Sequence, residues 1–327
     1  MPTALTDPFV RVALPCPLYR VFDYRLAPAA ASARAGCRVR VPFGRRALVG
    51  VILERSATSE LPAGQLRNVT ELIDPHPVLP PDLLALLHWA AGYYHHPIGE
   101  VFAQALPALL RQGRPAALAQ VRRWYLSSAG RTVAPDTLAR APRQAALLAA
   151  LARCPEGADR DWLQGEGLYR AESLKALVDK GWVETHEVTP GLDAPHPGGT
   201  APELNPAQAD AVQAVADHTG YGCFLLDGVT GSGKTEVYIR AIEQALAAGR
   251  QTLLLVPEIG LTPQLMQRLH ARLPAPMVIL HSGLSERERL NAWVAARDGQ
   301  ARVIVGTRSA VFTPLPEPGL FIVDEEH

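Results

Sequence analysis

The stretch Gly228-Val229-Thr230-Gly231-Ser232-Gly233-Lys234-Thr235 constrains this chain more than any other. It follows an apolar run, Cys223-Phe224-Leu225-Leu226, and opens a helical pattern at Glu236. A G-x-x-x-x-G-K-T pattern between a strand and a helix is a phosphate-binding loop. The glycines let successive backbone N–H groups close around a triphosphate, and the helix that follows points its positive end at the same place. Gly228, Val229, Thr230, Gly231, Ser232 and Gly233 supply that cradle. Lys234 reaches the β- and γ-phosphates, and Thr235 offers its hydroxyl to Mg²⁺. The bland alternative is a glycine-rich turn with a chance lysine.

Around this loop, apolar strands alternate with helical patterns. Strands are predicted near 223–226, 252–256, 277–280, 302–305 and 320–323, and helices near 235–248, 262–272 and 285–297. Such alternation implies a parallel sheet with helices on both faces, and ligands at the carboxyl ends of its strands. The last strand, Leu320-Phe321-Ile322-Val323, delivers Asp324-Glu325-Glu326-His327. Asp324 at a strand tip facing the loop suits a Mg²⁺ ligand, and Glu325 suits the orientation or deprotonation of an attacking water. Loops starting at Pro257 and Gly306 carry Thr262, Thr307 and Arg308 at the same end of the sheet, where they suit either sugar-phosphate contact or ordinary turn chemistry. Asn205-Pro206 reads as a helix start, with Gln208 in its first turn.

The first third differs. Residues 9–14, 37–41 and 47–53 alternate as strands, with a turn at Gly44. Five arginines between Arg34 and Arg46, with no acid among them, suit phosphate contact or a charged, solvated edge strand. Helices are predicted from Pro80 to Tyr93 and from Ile98 to Leu110, with His95 and His96 between them in a structural or surface role. Arg111 to Pro115 reads as a linker. A middle module follows, with helices at 142–153, 161–163 and 170–180, a stop at Gly181 and a strand at 182–188. Three helices and a strand resemble a winged helix. Contact with DNA through the third helix and a plain spacer role both fit its mixed charges. Thr189 to Pro202 reads as a second linker. The expected architecture is multidomain α/β: residues 1–113, a β-rich module; 114–198, a winged-helix-like module and linker; 199–327, one parallel α/β lobe, which the resemblance described below makes a DNA-binding module, a winged helix and a RecA-like lobe.

Whole-chain charge says nothing about partners, because 32 Lys and Arg balance 32 Asp and Glu. The first module is net +3, with 11 basic against 8 acidic side chains, and the last is net −4, with 10 against 14. The four cysteines are far apart in sequence and offer neither zinc spacing nor a disulfide framework. With no signal peptide and no run of membrane-span length, the expectation is a cytoplasmic protein that does not engage a membrane.

Taken together these motifs resemble superfamily 2 helicases, and most closely the bacterial replication-restart helicases. Gly228 to Thr235, Val256 to Gln264, His281-Ser282-Gly283, Gly306 to Ala310 and Asp324 to His327 are similar to their helicase motifs. Phe22-Asp23-Tyr24, Gly36 to Gly44 and Tyr93 to Gly99 are similar to their N-terminal domain. The resemblance implies an ATP- and Mg²⁺-dependent enzyme that moves 3′ to 5′ on single-stranded DNA, recognises branched forks and works with other primosome proteins and single-stranded DNA-binding protein in the nucleoid. It implies that Gln208 reads adenine and that Thr262, Thr307 and Arg308 touch DNA. A nascent 3′ end would be held by Phe22, Asp23, Gly44 and Arg67, the last standing where the family has Lys. The family continues into a second RecA-like lobe, a zinc-binding cysteine cluster and a C-terminal domain. The expectation is therefore a piece that binds ATP and DNA without unwinding alone, with zinc confined to the part not present. The alternative is a non-enzymatic, structure-specific DNA-binding module with a vestigial nucleotide site.

Overall fold

The structure is a computed structural model and describes residues 8–62, 64–118, 120–133, 135–138, 141–155, 157–189, 198–199, 201–229 and 231–325. The chain forms two compact units. One comprises Met1–Leu118 with Gly191–His327, and the other is Ala119–Pro190.

The chain opens with β1 (Phe9–Ala13), β2 (Phe22–Arg25), β3 (Arg38–Phe43), β4 (Arg46–Ser56) and β5 (Glu71–Leu72). They form an antiparallel sheet in the order β2-β1-β4-β3-β5. Val10, Val12, Val39, Val41 and Ile52, on alternate positions, share one buried cluster with Tyr24 and Cys37. The sheet curls, since Arg25 at its β2 edge exchanges backbone hydrogen bonds with the 67–69 segment and Tyr24 Oη donates to the Pro42 carbonyl at 3.0 Å. Gly44, at φ 59°, opens the two-residue β3–β4 turn in a conformation that favours glycine. Helices α1 (Pro81–Tyr93), α2 (Ile98–Ala105) and α3 (Ala108–Arg111) follow. The helix expected over 98–110 is broken because Pro107 cannot donate to the helical ladder.

In the second unit β6 (Val121–Leu126), α4 (Ser128–Arg131), α5 (Pro142–Ala152), α6 (Arg160–Gly165), α7 (Ala171–Asp179) and β7 (Val183–Val188) surround their own core. β6 pairs antiparallel with β7 from Val121↔Val188 to Leu126↔Val183. Gly181 sits just past α7 at φ 67°, as a helix stop requires.

The chain then returns to the first unit with α8 (Pro206–Ala216), α9 (Lys234–Ala247), β8 (Gln251–Leu255), α10 (Pro263–Arg272), β9 (Met277–Leu280), α11 (Glu286–Arg297), β10 (Val303–Gly306) and β11 (Pro318–Val323). The sheet is parallel throughout, in the order β11-β8-β10-β9. Two buried clusters flank it, one holding Ile239, Ile242 and Leu269, the other Ala292, Ala295 and Ala296. This is the mixed α/β architecture of a RecA-like lobe, with one correction. Residues 222–229 pair with no strand among the described residues, and Phe224 and Leu225 are 48% and 92% exposed. An apolar segment becomes a strand only when a ladder accepts its N–H and C=O groups. The β11 edge does not take this one up, and Phe321 and Val323 on β11 stay exposed.

Within the first unit α11 joins the core that the antiparallel sheet shares with α1 to α3. Leu290, Trp293 and Val294 of α11 pack in one cluster with Leu83, Leu87, Phe102 and Leu110 of α1 to α3. Arg297 donates to the Ala116 carbonyl at 2.9 Å.

Candidate functional site

Helix α9 begins at Lys234, with Gly233 before it at φ 84° and Gly231 at φ 83°. Both glycines stand where a side chain is strained, and at Gly233 a Cβ would also meet the Gln208 amide at 2.5 Å. Thr230 lies outside the described residues. Val229 is exposed, and its carbonyl accepts from Ser232 N–H at 3.1 Å. Lys234 Nζ turns back into the loop, donating to the carbonyls of Gly228 at 2.5 Å and Val229 at 3.3 Å. Thr235 sits half-buried in the first turn of α9.

Gln208 closes the loop from the other side. It is the third residue of α8, where its side-chain carbonyl accepts from Asn205 N–H in a reciprocal cap. Its amide nitrogen donates to the Ser232 carbonyl at 3.0 Å. Gln208 therefore ties α8 to the loop.

The acidic tip of β11 comes to the same helix. Asp324 N–H donates to the Leu255 carbonyl at 2.8 Å, which continues the β11–β8 ladder by one step. The hydroxyl of Tyr238, one turn beyond Lys234 on α9, donates to Asp324 Oδ1 at 3.0 Å. Burial, reinforced by the hydrogen bond it donates to this carboxylate, pushes the Tyr238 phenol well above its ordinary value, so the phenol stays a donor. Glu325 is exposed at φ 49°, an uncommon backbone state outside glycine. Glu326 and His327 lie outside the described residues. Glu236, in the first turn of α9, is paired instead with Arg240 and Arg272, which hold its Oε1 at 3.2 and 2.9 Å.

The remaining loop residues divide. Thr262 caps α10, accepting from Leu265 N–H at 3.2 Å. Thr307 precedes a short 3-10 turn, and Arg308 is exposed beside it at the carboxyl end of β10.

At the antiparallel sheet, Phe22 and Asp23 follow one another on β2, and Arg67 reaches the β3–β4 turn at Gly44. Phe22 meets Phe43 edge to face at 5.2 Å, and the Arg20 guanidinium lies over the Phe22 ring at 4.8 Å. Ser59 Oγ donates to Asp23 Oδ2, and Arg11 stands 3.8 Å from Oδ1. Arg67 donates to the Gly44 carbonyl at 3.3 Å. The arginine cluster does not act as one surface. Arg38 is fully buried on Asp74, and Arg40 pairs with Glu71, while Arg45 and Arg46 stay exposed. Sequence reasoning passed over Arg20 and Trp89 and gave no role to the tyrosines beside Trp89; Trp89 stacks on Tyr93, Tyr93 meets Tyr94 edge to face, and all three are more than half exposed. An i, i+4 pair of aromatics on α1 was the available signal.

Comparison with known proteins agrees with both halves. Residues 11–107 match a 3′ DNA-binding domain (3′BD), and residues 205–327 match a DEAD/DEAH box helicase. The chain thus joins a 3′ DNA-binding domain to a DEAD/DEAH-type helicase domain, a class of domain that implies use of ATP and Mg²⁺. It is 39% identical to the replication restart protein PriA of Haemophilus influenzae, over 97% of this chain and 44% of that protein. It is 32% identical to PriA of Chlamydia pneumoniae, over 94% and 42%. With PriA of Synechocystis it is 46% identical over 48% and 19%. The chain belongs to the PriA family of replication restart proteins, whose N-terminal part it matches. It spans less than half the length of these relatives. Among the described residues no helix is long and apolar enough to cross a membrane.

Proposed function

We propose that this chain is the DNA-capturing and nucleotide-binding part of an ATP-dependent helicase. That helicase moves 3′ to 5′ at stalled replication forks and begins assembly of the replication machinery there. The observation that carries the reading is the meeting of α9 and β11: Tyr238, one turn from Lys234, holds Asp324. The loop lysine and the strand-tip acid therefore lie at the same end of one parallel sheet, where nucleotides bind.

Lys234 exchanges its two loop carbonyls for phosphate oxygens, which are stronger partners for an ammonium group. Thr235 and Asp324 would hold Mg²⁺, which offsets the charge developing on the phosphates. Glu325 takes the proton of the attacking water. Gln208, already bound to the loop through Ser232, reports the base to the phosphate cradle. Phe22, Asp23, Gly44 and Arg67 receive a 3′ end: Phe22 stacks on the terminal base, and Asp23 accepts from the 3′-hydroxyl. Thr262, Thr307 and Arg308 follow the DNA backbone, and the second unit serves as a winged helix. Branched forks, single-stranded DNA and other restart proteins are the partners.

Two measurements test this. Lys234→Ala should abolish nucleotide binding by this chain and ATP turnover by a longer form, while fork binding persists; unchanged turnover removes the loop assignment. DNA bearing a 3′-phosphate should bind more weakly than DNA with a 3′-hydroxyl, because Asp23 then meets a like charge. Equal affinities count against the pocket.

A second reading has an observation in its favour. The segment before the loop is unpaired and exposed, so the sheet does not brace the nucleotide site. In that case the chain acts as a structure-specific DNA-binding module with an idle loop. ATP turnover with and without single-stranded DNA separates the two, and DNA-stimulated hydrolysis by this chain excludes the second.

A further inference from the structure

We propose that Tyr238 is a positioning residue for Asp324, and that it sets how readily Mg²⁺ completes the nucleotide site. The inference rests on the reading of Asp324 as a Mg²⁺ ligand and adds a residue that none of the motifs contains.

Lys234 and Tyr238 stand four residues apart on α9, so their side chains leave the same face one turn apart. The helix that carries the phosphate-binding ammonium therefore also carries the phenol that reaches the metal-binding acid. Main chain and side chain of Asp324 are fixed by different partners. Its N–H is held by Leu255 on β8, and its Oδ1 by the Tyr238 hydroxyl at 3.0 Å. Among the described residues, Tyr238 is the one hydrogen-bond donor to this carboxylate.

An ionised carboxylate has about four acceptor sites on its two oxygens. One phenol O–H occupies one of them and leaves Oδ2 open to a cation. A side chain just past the end of a strand is otherwise free to turn about both of its torsions, and ordering it costs conformational entropy. Tyr238 removes that freedom before the cation arrives. Groups that orient a metal ligand commonly change metal affinity by roughly 10- to 100-fold when removed.

The test compares this chain with its Tyr238→Phe variant, which keeps the ring and removes the hydroxyl. A fluorescent ATP analogue is titrated first in chelator, then with Mg²⁺ at saturating analogue. The proposal expects an unchanged affinity without metal, a Mg²⁺ midpoint raised about 10-fold, and an unfolding midpoint close to that of the parent. An unchanged Mg²⁺ midpoint overturns it. So does an equal loss of affinity with and without Mg²⁺, which marks a purely structural ring. Asp324→Asn should raise the Mg²⁺ midpoint whatever stands at 238, and adding Tyr238→Phe to it should change nothing further. If Asp324→Asn leaves the midpoint unmoved, the metal assignment has failed. If Asp324→Asn moves it and Tyr238→Phe does not, only the role of Tyr238 has failed.

Discussion

Arg38 lies at 0% exposure, with Asp74 Oδ1 on Nη2 and Oδ2 on Nε, both at 2.7 Å. Its other donors go to the carbonyls of Leu110 and Arg114, so the stretch that reads as a free linker is fastened to the β-sheet. Each of its three nitrogens has a partner, which is the condition for burying a guanidinium at all. Asp74→Ala leaves that cation buried and unpaired, and should cost about 3–5 kcal/mol in urea unfolding. Arg45→Ala, at an exposed turn, should fall within about 0.5 kcal/mol. Buried thiols make a second point at this scale. Burial raises Cys37 and Cys16 above the ordinary thiol value, so the folded chain holds their protons more tightly than the unfolded chain does. Their contribution is complete below the ordinary value of 9.0 and is lost as pH rises through the higher folded value. Unfolding midpoints should therefore drop at alkaline pH, and Cys37→Ala should flatten that drop. Cys223, which is exposed, should react first with a thiol reagent at pH 8.

Among the elements, α11 does the most to connect the two halves of the first unit. Trp293 is 3% exposed in a cluster drawn from α1, α2 and α3, and its indole N–H has no hydrogen-bond partner among the described residues. Trp293→Ala should cost about 3–5 kcal/mol. Trp293→Phe keeps most of the apolar volume and removes an orphaned donor, so the two effects oppose, and a change within about 1.5 kcal/mol is expected in the same urea titration. Nothing in the sequence pointed to this joint, because periodicity tells which face of a helix is apolar and not what covers it. The helices and strands of 234–323 were legible because each is an unbroken apolar run or an amphipathic pattern with a clear start. Asn205 and Ser285 cap α8 and α11 as their types require. β2 and β5 were not legible, since strands so short exist through their ladder partners, and β6 was not because Arg122 and Arg123 interrupt its apolar residues. Residues 223–226 failed in the opposite sense, with a strand-like composition and no ladder to join. The loop and strand-tip residues were readable from spacing, whereas Tyr238 was not, because a tyrosine in a helix has no pattern until its partner is in place.

At the scale of the whole molecule, three stretches of sequence become two compact units, and the division decides what must unfold together. The β-sheet of 9–72 and the parallel sheet of 251–323 meet through the α11 cluster, the Arg297–Ala116 bond and the Arg38 clamp. Residues 121–188 have a separate core. A ligand that binds the native state alone stabilises whatever unfolds cooperatively with its site, by about 2.7 kcal/mol at a hundredfold excess over Kd. Mg²⁺ with a non-hydrolysable ATP analogue should therefore slow amide exchange in β3 and β4 as well as in α9 and β8, although β3 and β4 touch no phosphate. Exchange in β6, α5 and β7 should stay as it was, because those residues open as their own unit. The Trp293→Ala variant supplies the control. With the joint weakened, protection in α9 and β8 should still rise, while that in β3 and β4 should not. Hydrogen-exchange mass spectrometry reads each segment separately. A rise confined to 205–325 in the parent chain would mean that the shared core carries no cooperativity and that the two sheets unfold as independent bodies.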